Sequence, residues 1–225
     1  MKSIAVWSAW VVSVSMAVGA GEDWQPLFNG KDLTGWKKTP YVAPGEIRVL
    51  SADPKEERPT GAPIGPAIYL GAGDDLTGIT YTNPVPTTNY EIRLQAMRVS
   101  GSDFFCGLTF PVGTNFCTLV VGGWGGTIVG ISSIDGYDAS ENETSTTMEF
   151  ERGRWYDIGV RVWPDRLQVT LDGKKIIDVH IAGRRVHMRP GEIEEGMPFS
   201  ISTWRTAAAI RDIRIRRLPA MPPES

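Results

Sequence analysis

The 225-residue chain has the composition of a globular protein that is rich in turns. Hydrophobic residues make up 41% and charged residues 22% of it, which excludes a wholly disordered chain, and 25 glycines with 16 prolines favour short strands over long helices. The formal net charge of -3 argues against nucleic-acid binding by general phosphate attraction, and two histidines are too few for most zinc-hydrolase designs.

The N-terminal segment has the features of a signal peptide. Lys2 supplies a positive charge, an apolar run extends from Ile4 to Val18, and small residues up to Ala20 suit a cleavage site. About fifteen apolar residues are too few to span a membrane comfortably. We therefore expect a signal peptide at 1–20, a single β-sandwich domain at 21–218 and a disordered, proline-rich tail at 219–225. The mature protein is then secreted or periplasmic and has no membrane attachment.

Further along the chain, five runs of residues show strand-like alternation of apolar and polar side chains. Such runs are typical of half-buried strands in an antiparallel sheet. They cover residues 90–97, 156–162, 167–171, 199–204 and 210–218. Asp172-Gly173 is a strong hairpin turn signal, and the register that keeps one face apolar places Val169 opposite Ile177. With no amphipathic helix of ordinary length, the pattern predicts an all-β fold, an antiparallel two-sheet β-sandwich or jelly roll.

Cys106 and Cys117 flank the segment Phe-Pro-Val-Gly at 110–113, which has turn-forming residues between two strand-like arms. If this segment connects the arms as a four-residue turn, Cys106 lies directly opposite Cys117. An oxidising compartment would then favour a cross-strand disulfide, which we predict here. Two buried free thiols are the alternative.

Several segments of the chain resemble the 3-keto-disaccharide hydrolase domain family. The opening Leu-Phe-Asn-Gly-Lys-Asp-Leu-Thr-Gly-Trp at 27–36 and the closing Ile-Arg-Asp-Ile-Arg-Ile at 210–215 are the most specific matches. Asn-Tyr-Glu-Ile-Arg-Leu at 89–94 and the Trp155 to Gly173 hairpin region are similar to its inner strands, so the resemblance runs from about Trp24 to Leu218. It implies a concanavalin-like jelly roll and activity on sugars oxidised at the 3-position.

The chain nevertheless departs from that family's pattern in two places. Phe-Cys-Gly-Leu stands at 105–108 where members often have Asn-Ser-Gly-Ile, and Trp204-Arg205-Thr206 stands where many have a histidine and a glycine. The family's active-site chemistry therefore cannot be carried over residue by residue. The alternating carboxylates that retaining β-glucan hydrolases display on one strand are also missing, which disfavours double-displacement glycosidase chemistry.

Three residues are candidates for sugar binding. Trp124 stands between four glycines at 122–126, so it either closes a core turn or presents an exposed indole to a sugar ring. Trp204 and Arg205 precede the last strand, where the family keeps polar residues. We predict that Trp124, Trp204 and Arg205 line one cleft, together with the acidic loop that follows Trp124 in the chain.

The acidic loop holds Asp135, Asp138 and Glu141, whose spacing suits a hard cation such as Ca²⁺, the one cofactor that the sequence suggests. A solvated loop without a metal is the alternative.

Two functions from different classes fit these observations. The first is a secreted carbohydrate-active hydrolase or lyase that acts on glycosides or 3-keto-glycosides, where the ketone acidifies the neighbouring C–H. The second is a non-catalytic, lectin-like carbohydrate-binding module. The expected partner is in either case a carbohydrate or an oxidised glycoside. The sequence does not identify catalytic residues.

Overall fold

Residues 23–221, the part of the chain described by the computed structural model, form two antiparallel β-sheets. The predicted signal peptide at 1–20 and the last four residues of the predicted tail, 222–225, lie outside the described residues. Within residues 23–221 the one helical segment is a 3₁₀ turn, Glu192–Gly196, and no helix there is long and apolar enough to cross a membrane.

The first sheet has the strand order β13-β12-β11-β6-β15-β4-β3, and β1 pairs with β15. Its strands are β1 (Gln25–Pro26), β3 (Ile47–Leu50), β4 (Ala67–Leu70), β6 (Tyr90–Ser100), β11 (Trp155–Val162), β12 (Arg166–Leu171), β13 (Lys174–His180) and β15 (Ala207–Arg217).

The second sheet has the strand order β10-β9-β8-β7-β14-β5-β2. Its strands are β2 (Trp36–Lys38), β5 (Leu76–Tyr81), β7 (Cys106–Val112), β8 (Asn115–Gly123), β9 (Ile128–Ser132), β10 (Thr146–Thr147) and β14 (Ser200–Trp204).

The core lies between the two sheets because alternate residues of each strand are apolar. On β6, for example, Ile92, Leu94 and Ala96 are buried in the same cluster as Leu108 and Leu119 of the second sheet. Burying one such aliphatic side chain contributes about 1.5–3 kcal/mol. The predicted all-β, antiparallel two-sheet fold is confirmed.

The β12–β13 hairpin has the register predicted from its apolar face, with Val169 opposite Ile177. Asp172 and Gly173 both have positive φ, of 47° and 76°, so they form a two-residue turn of the kind that joins twisted strands. A register shift between Val169 and Thr170 then restores the apolar pairing.

The β7–β8 hairpin corrects the predicted disulfide between Cys106 and Cys117. The strands continue to Val112 and Asn115, which pair, so the turn is only Gly113-Thr114. Cys117 therefore lies opposite Phe110, and the partner of Cys106 is Val121. Four residues along a strand separate the cysteines by about 13 Å, well beyond the reach of a disulfide. Both thiols are free and buried, and the disulfide prediction is wrong.

The outer face of the second sheet carries small hydroxyl side chains and is itself covered. Thr80, Thr109, Thr118, Ser200 and Ser202 are all buried there. The cover is the segment 181–197. Within it, Met188 accepts a hydrogen bond from Thr118 at 3.7 Å, and Gly196 packs closely against Ser200. Residues 189–193 of this cover, up to the start of the 3₁₀ turn, also line the cleft described next.

Candidate functional site

A cleft of about 420 Å³ opens at the end of the second sheet, beside the C-terminal end of β14. Its wall combines aromatic rings, a proline–glycine segment and charged side chains. The lining residues are Asp75, Leu76, Asp103, Phe104, Trp124, Arg189, Pro190, Gly191, Glu192, Ile193 and Trp204. This volume and mixture are typical of small-molecule sites in proteins.

Trp124 reaches the cleft from the turn between β8 and β9. Its side chain is 42% exposed, so the alternative of a core-closing tryptophan does not apply. Gly122 and Gly126 on either side have φ of 78° and 110°, conformations that favour glycine. The guanidinium of Arg98 donates to the carbonyl oxygens of Gly122 and Gly126, at 3.2 and 2.9 Å, and fixes the turn from behind.

Trp204 forms the aromatic wall with Phe104. The two ring centroids are 6.5 Å apart, and the Trp204 backbone N–H donates to the Phe104 carbonyl at 3.1 Å. Arg205 lies against the Trp204 ring, with its guanidinium carbon 5.5 Å from the centroid. Arg205 itself is not among the lining residues. It holds Asp75, which lines the cleft, through hydrogen bonds of 2.9 and 2.6 Å to the same carboxylate oxygen.

The three carboxylates of the cleft differ in how many of their oxygens are occupied. Asp75 is held by Arg205. Asp103 accepts the backbone N–H of Phe104 at 2.7 Å on one oxygen and that of Gly125 at 3.3 Å on the other. Glu192 accepts the backbone N–H of Val42 on Oε1, and no hydrogen bond to its Oε2 occurs among residues 23–221. Asp75 and Glu192 thus each keep one carboxylate oxygen without a hydrogen bond from residues 23–221. Because Asp75 is paired with Arg205, the unbonded oxygen of Glu192 is the more basic of the two.

Arg189 supplies the positive charge of the cleft. One of its Nη atoms lies 2.5 Å from Oδ2 of Asp138, and 59% of its side chain is exposed. The pairing fixes the guanidinium without enclosing it. A cation that lies in the same cleft as Glu192 can stabilise an oxyanion that develops on a ligand.

In the acidic loop, the aspartates predicted as calcium ligands are paired with other groups of the protein. Asp135 pairs with Arg184 at 2.8 Å and accepts the Arg185 backbone N–H, and these hydrogen bonds lower the pKa of its carboxyl. The carboxylate of Asp138 accepts hydrogen bonds from the Arg189 guanidinium and from the Ser132 hydroxyl. Among residues 23–221 no group of three His, Cys, Asp or Glu side chains could hold a metal ion.

The structure thus brings Trp124 and Trp204 to one cleft, puts Arg205 behind its wall, and leaves Asp135, Asp138 and Glu141 outside it. Sequence reasoning missed Arg189 and Glu192. The sequence Arg-Pro-Gly-Glu at 189–192 predicts a turn there. A single sequence does not show which part of the fold that turn packs against, so it does not identify Arg189 and Glu192 as site residues.

The sequence profile of the 3-keto-alpha-glucoside-1,2-lyase-like domain matches residues 23–216. The chain belongs to this family. The resemblance carried by the opening and closing segments is confirmed, and the 3-keto-alpha-glucoside-1,2-lyase-like domain accounts for nearly all the described residues. Among curated proteins, no sequence matches this member of the family.

Solved structures with a similar fold come from carbohydrate-active proteins. Domain 4 of AbnA, a GH43 extracellular arabinanase from Geobacillus stearothermophilus solved with arabinotriose, is 14% identical. The match covers 90% of this chain and 95% of that one, with a TM-score of 0.51. The Crh5 transglycosylase is 9% identical, with 88% and 84% of the two chains covered and a TM-score of 0.53. At these identities the likeness shows the jelly-roll fold alone.

The two departures from the family pattern meet in space beside the cleft. Gly107, in the divergent β7 segment, is registered with Ser202 on β14, two residues before Trp204. Phe104 precedes that segment and contacts Trp204. The two segments that depart from the family pattern therefore adjoin the aromatic wall that Phe104 and Trp204 form in this chain.

Proposed function

We propose that this domain binds 3-keto-glycosides in the cleft between Trp124 and Trp204 and cleaves them by elimination. The observation that carries the proposal is that two tryptophan rings, an available carboxylate and a guanidinium line the same cleft. The family to which the chain belongs names a 1,2-lyase of 3-keto-alpha-glucosides, which is the reaction class that these groups fit.

The tryptophan rings supply the binding surface. A sugar presents C–H faces that pack on indole rings and hydroxyl groups that bond to charged side chains. Trp124 is exposed on a turn held by Arg98, and Trp204 is half-buried against Phe104. Both rings are thus fixed before a ligand arrives, which lowers the entropy cost of binding.

Glu192 is the proposed base, and Arg189 is proposed to stabilise the charge that develops. The 3-keto group acidifies the C2–H bond, so a carboxylate can remove that proton. The electron pair passes to the ketone oxygen as an enolate, which the Arg189 guanidinium stabilises. The enolate then re-forms the ketone, makes the C1–C2 double bond and expels the glycosidic oxygen from C1. That oxygen takes the proton from Glu192, so no water is consumed.

Turnover of an α-linked 3-keto-disaccharide tests the proposal. The product is a conjugated enone, so its ultraviolet absorbance reports the elimination directly. We expect Glu192→Gln to lower kcat by about 100-fold or more, because removing a general base has effects of roughly this size. Glu195→Gln is the matched control, since Glu195 lies in the same 3₁₀ turn with an exposed side chain.

Failure of the proposal has two distinct forms. Full activity in Glu192→Gln would reject Glu192 as the base. Binding of the 3-keto-disaccharide without any product would reject the lyase assignment and leave the non-catalytic carbohydrate-binding module.

Secretion or export to the periplasm belongs to the same proposal. N-terminal sequencing of the exported protein tests it through the expected cleavage after Ala20.

A further inference from the structure

The outer face of the first sheet carries a second groove, of about 600 Å³. The cleft lined by Trp124 and Trp204, called the tryptophan cleft below, lies on the second sheet instead. It runs across strands β15, β6, β11 and β12, and Gly159 on β11 lies at its centre. The missing side chain leaves the groove open there, since a Cβ atom at Gly159 would lie 2.4 Å from the Thr170 hydroxyl oxygen.

One end of this groove is strongly basic. Arg93, Arg161 and Arg214 line it, and Arg216 lies beside them on β15. Arg93, Arg161 and Arg216 surround the single carboxylate of Glu91, which is 1% exposed. Glu91 accepts hydrogen bonds from Arg216 at 2.5 and 2.9 Å and from Arg93 at 2.8 Å, and Arg161 lies 3.3 Å away.

Glu91 does not account for all the positive charge around it. Three guanidinium groups lie within ion-pair distance of this carboxylate, and Arg214 lies beside Arg93, so this end of the groove has three positive charges in excess. Arg214 has no carboxylate within ion-pair distance among residues 23–221, and it lies directly opposite Arg93 across the β6–β15 ladder. Like charges in that position destabilise a sheet. The Trp24 ring partly offsets this, with the guanidinium carbons of Arg93, Arg214 and Arg216 within 5.4, 5.1 and 4.7 Å of its centroid.

The other end of the groove is lined by acidic and amide side chains. Asp157, Asp172 and Asp212 line it with Gln95, which donates to Asp157 at 2.8 Å. Two residues along a strand, about 7 Å, separate this end from the arginines. Arg154 pairs with Asp172, and Lys175 also lines this end, so within the described part of the chain this end offers a long polyanion no second cluster of unpaired cations. A ligand with one anionic group and neutral hydroxyls beyond it matches both ends.

We propose that this groove binds an acidic saccharide. The carboxylate of a uronic acid would lie on Arg93, Arg161 and Arg214, whose Nη groups have no carboxylate partner of their own among the described residues. Guanidinium groups bind carboxylates through paired hydrogen bonds, which makes arginine the suitable residue for this ligand. Neutral sugar residues attached to the uronic acid would bond to Gln95, Gln168 and Asp157. This site is independent of the proposed lyase cleft.

Calorimetric titration of the full chain with two matched trisaccharides tests the inference. The probes are glucuronosyl-xylobiose and neutral xylotriose. We expect the acidic probe to bind at least about tenfold more tightly, because the arginine contacts are charge-assisted. Its affinity should fall as sodium chloride is raised.

Two arginine substitutions test whether the acidic probe binds in this groove. Arg214→Gln should weaken the acidic probe roughly tenfold, since it removes one charge-assisted contact. Arg217→Gln, which removes the same charge from an exposed residue of the same strand outside the groove, should leave affinity unchanged. Equal melting temperatures will show that both variants are folded.

Four results would overturn the inference. They are equal binding of xylotriose, no binding of either probe, an unaltered affinity in Arg214→Gln, and loss of binding in Trp204→Ala, which would place the ligand in the tryptophan cleft. Tighter binding of single-stranded DNA than of the acidic probe would also reject a saccharide as the ligand. None of these outcomes bears on turnover of 3-keto-disaccharides.

Discussion

At the scale of single residues, Trp124 and Trp204 reach the cleft in different ways. Trp124 projects from a turn with φ of 49°, a backbone conformation that its glycine neighbours and Arg98 stabilise. Trp204 ends a strand and leans on Phe104. Neither ring belongs to the core between the sheets, so removing either should affect binding more than folding.

Trp124→Ala and Trp204→Ala should each weaken glycan binding by about 1 kcal/mol, because a stacked aromatic ring contributes roughly this much. Titration with a 3-keto-disaccharide measures the effect, and the melting temperature reports folding. Tyr137→Ala serves as the control, since Tyr137 is a 60% exposed aromatic side chain outside the cleft. Variants that unfold instead of losing affinity would show that the rings are structural.

The two thiols give a second test at this scale. Cys106 and Cys117 are both fully buried in the core, and burial raises the pKa of the Cys106 thiol to about 12 and that of Cys117 further. At neutral pH neither thiol is ionised or accessible.

We therefore expect the folded, unreduced protein to show no reaction with DTNB at neutral pH, and the denatured protein to release two equivalents of chromophore, one per cysteine. A denatured, unreduced sample that releases none would mean that the two cysteines are joined after all.

At the scale of elements, the two hairpins show what the sequence could and could not predict. In β12–β13 a slip by one residue would bury Asp178, so the apolar pattern alone selects the register. In β7–β8 the predicted and observed registers differ by four residues and bury the same faces. The pattern therefore cannot choose between them, and turn geometry at Gly113 decides.

For the candidate site too, the sequence could predict only some of the residues. Trp124 and Trp204 stand out because a tryptophan among glycines or before a strand is unusual, and both line the cleft. Arg189 and Glu192 come from the segment 181–197, which has neither strand nor helix periodicity. Their position follows from contacts with distant elements, such as the Val42 backbone and the Thr118 hydroxyl, and these contacts leave no local signal in the sequence.

At the scale of the whole molecule, the sandwich keeps two polar sites on opposite outer faces. The tryptophan cleft belongs to the second sheet and the arginine groove to the first, with the apolar core between them. Buried Glu91, beside the arginines of the groove, connects three strands of the first sheet. Its one carboxylate links β6, β11 and β15 through Arg93, Arg161 and Arg216.

The pKa of Glu91 connects this link to pH. Burial raises the pKa of the carboxyl, but hydrogen bonds from Arg216 and Arg93 outweigh burial and leave the pKa below its ordinary value. A folded-state pKa below the unfolded one means that the carboxylate stabilises the fold fully above the ordinary range, about pH 4.3 for glutamate. The stabilisation is lost as the pH falls through the folded-state pKa.

Glu91→Gln should therefore reduce the free energy of unfolding by about 3 kcal/mol at pH 7, because it removes the charge of the buried carboxylate on which three arginines converge. The deficit should shrink as the pH is lowered below about 4.3, since the natural carboxylate is then progressively protonated as well. Urea denaturation of both proteins across that range measures the difference. Glu149→Gln, at an exposed glutamate, should show no deficit at either end. A deficit for Glu91→Gln that stays constant with pH would mean that side-chain packing, and not the charge of Glu91, links the three strands.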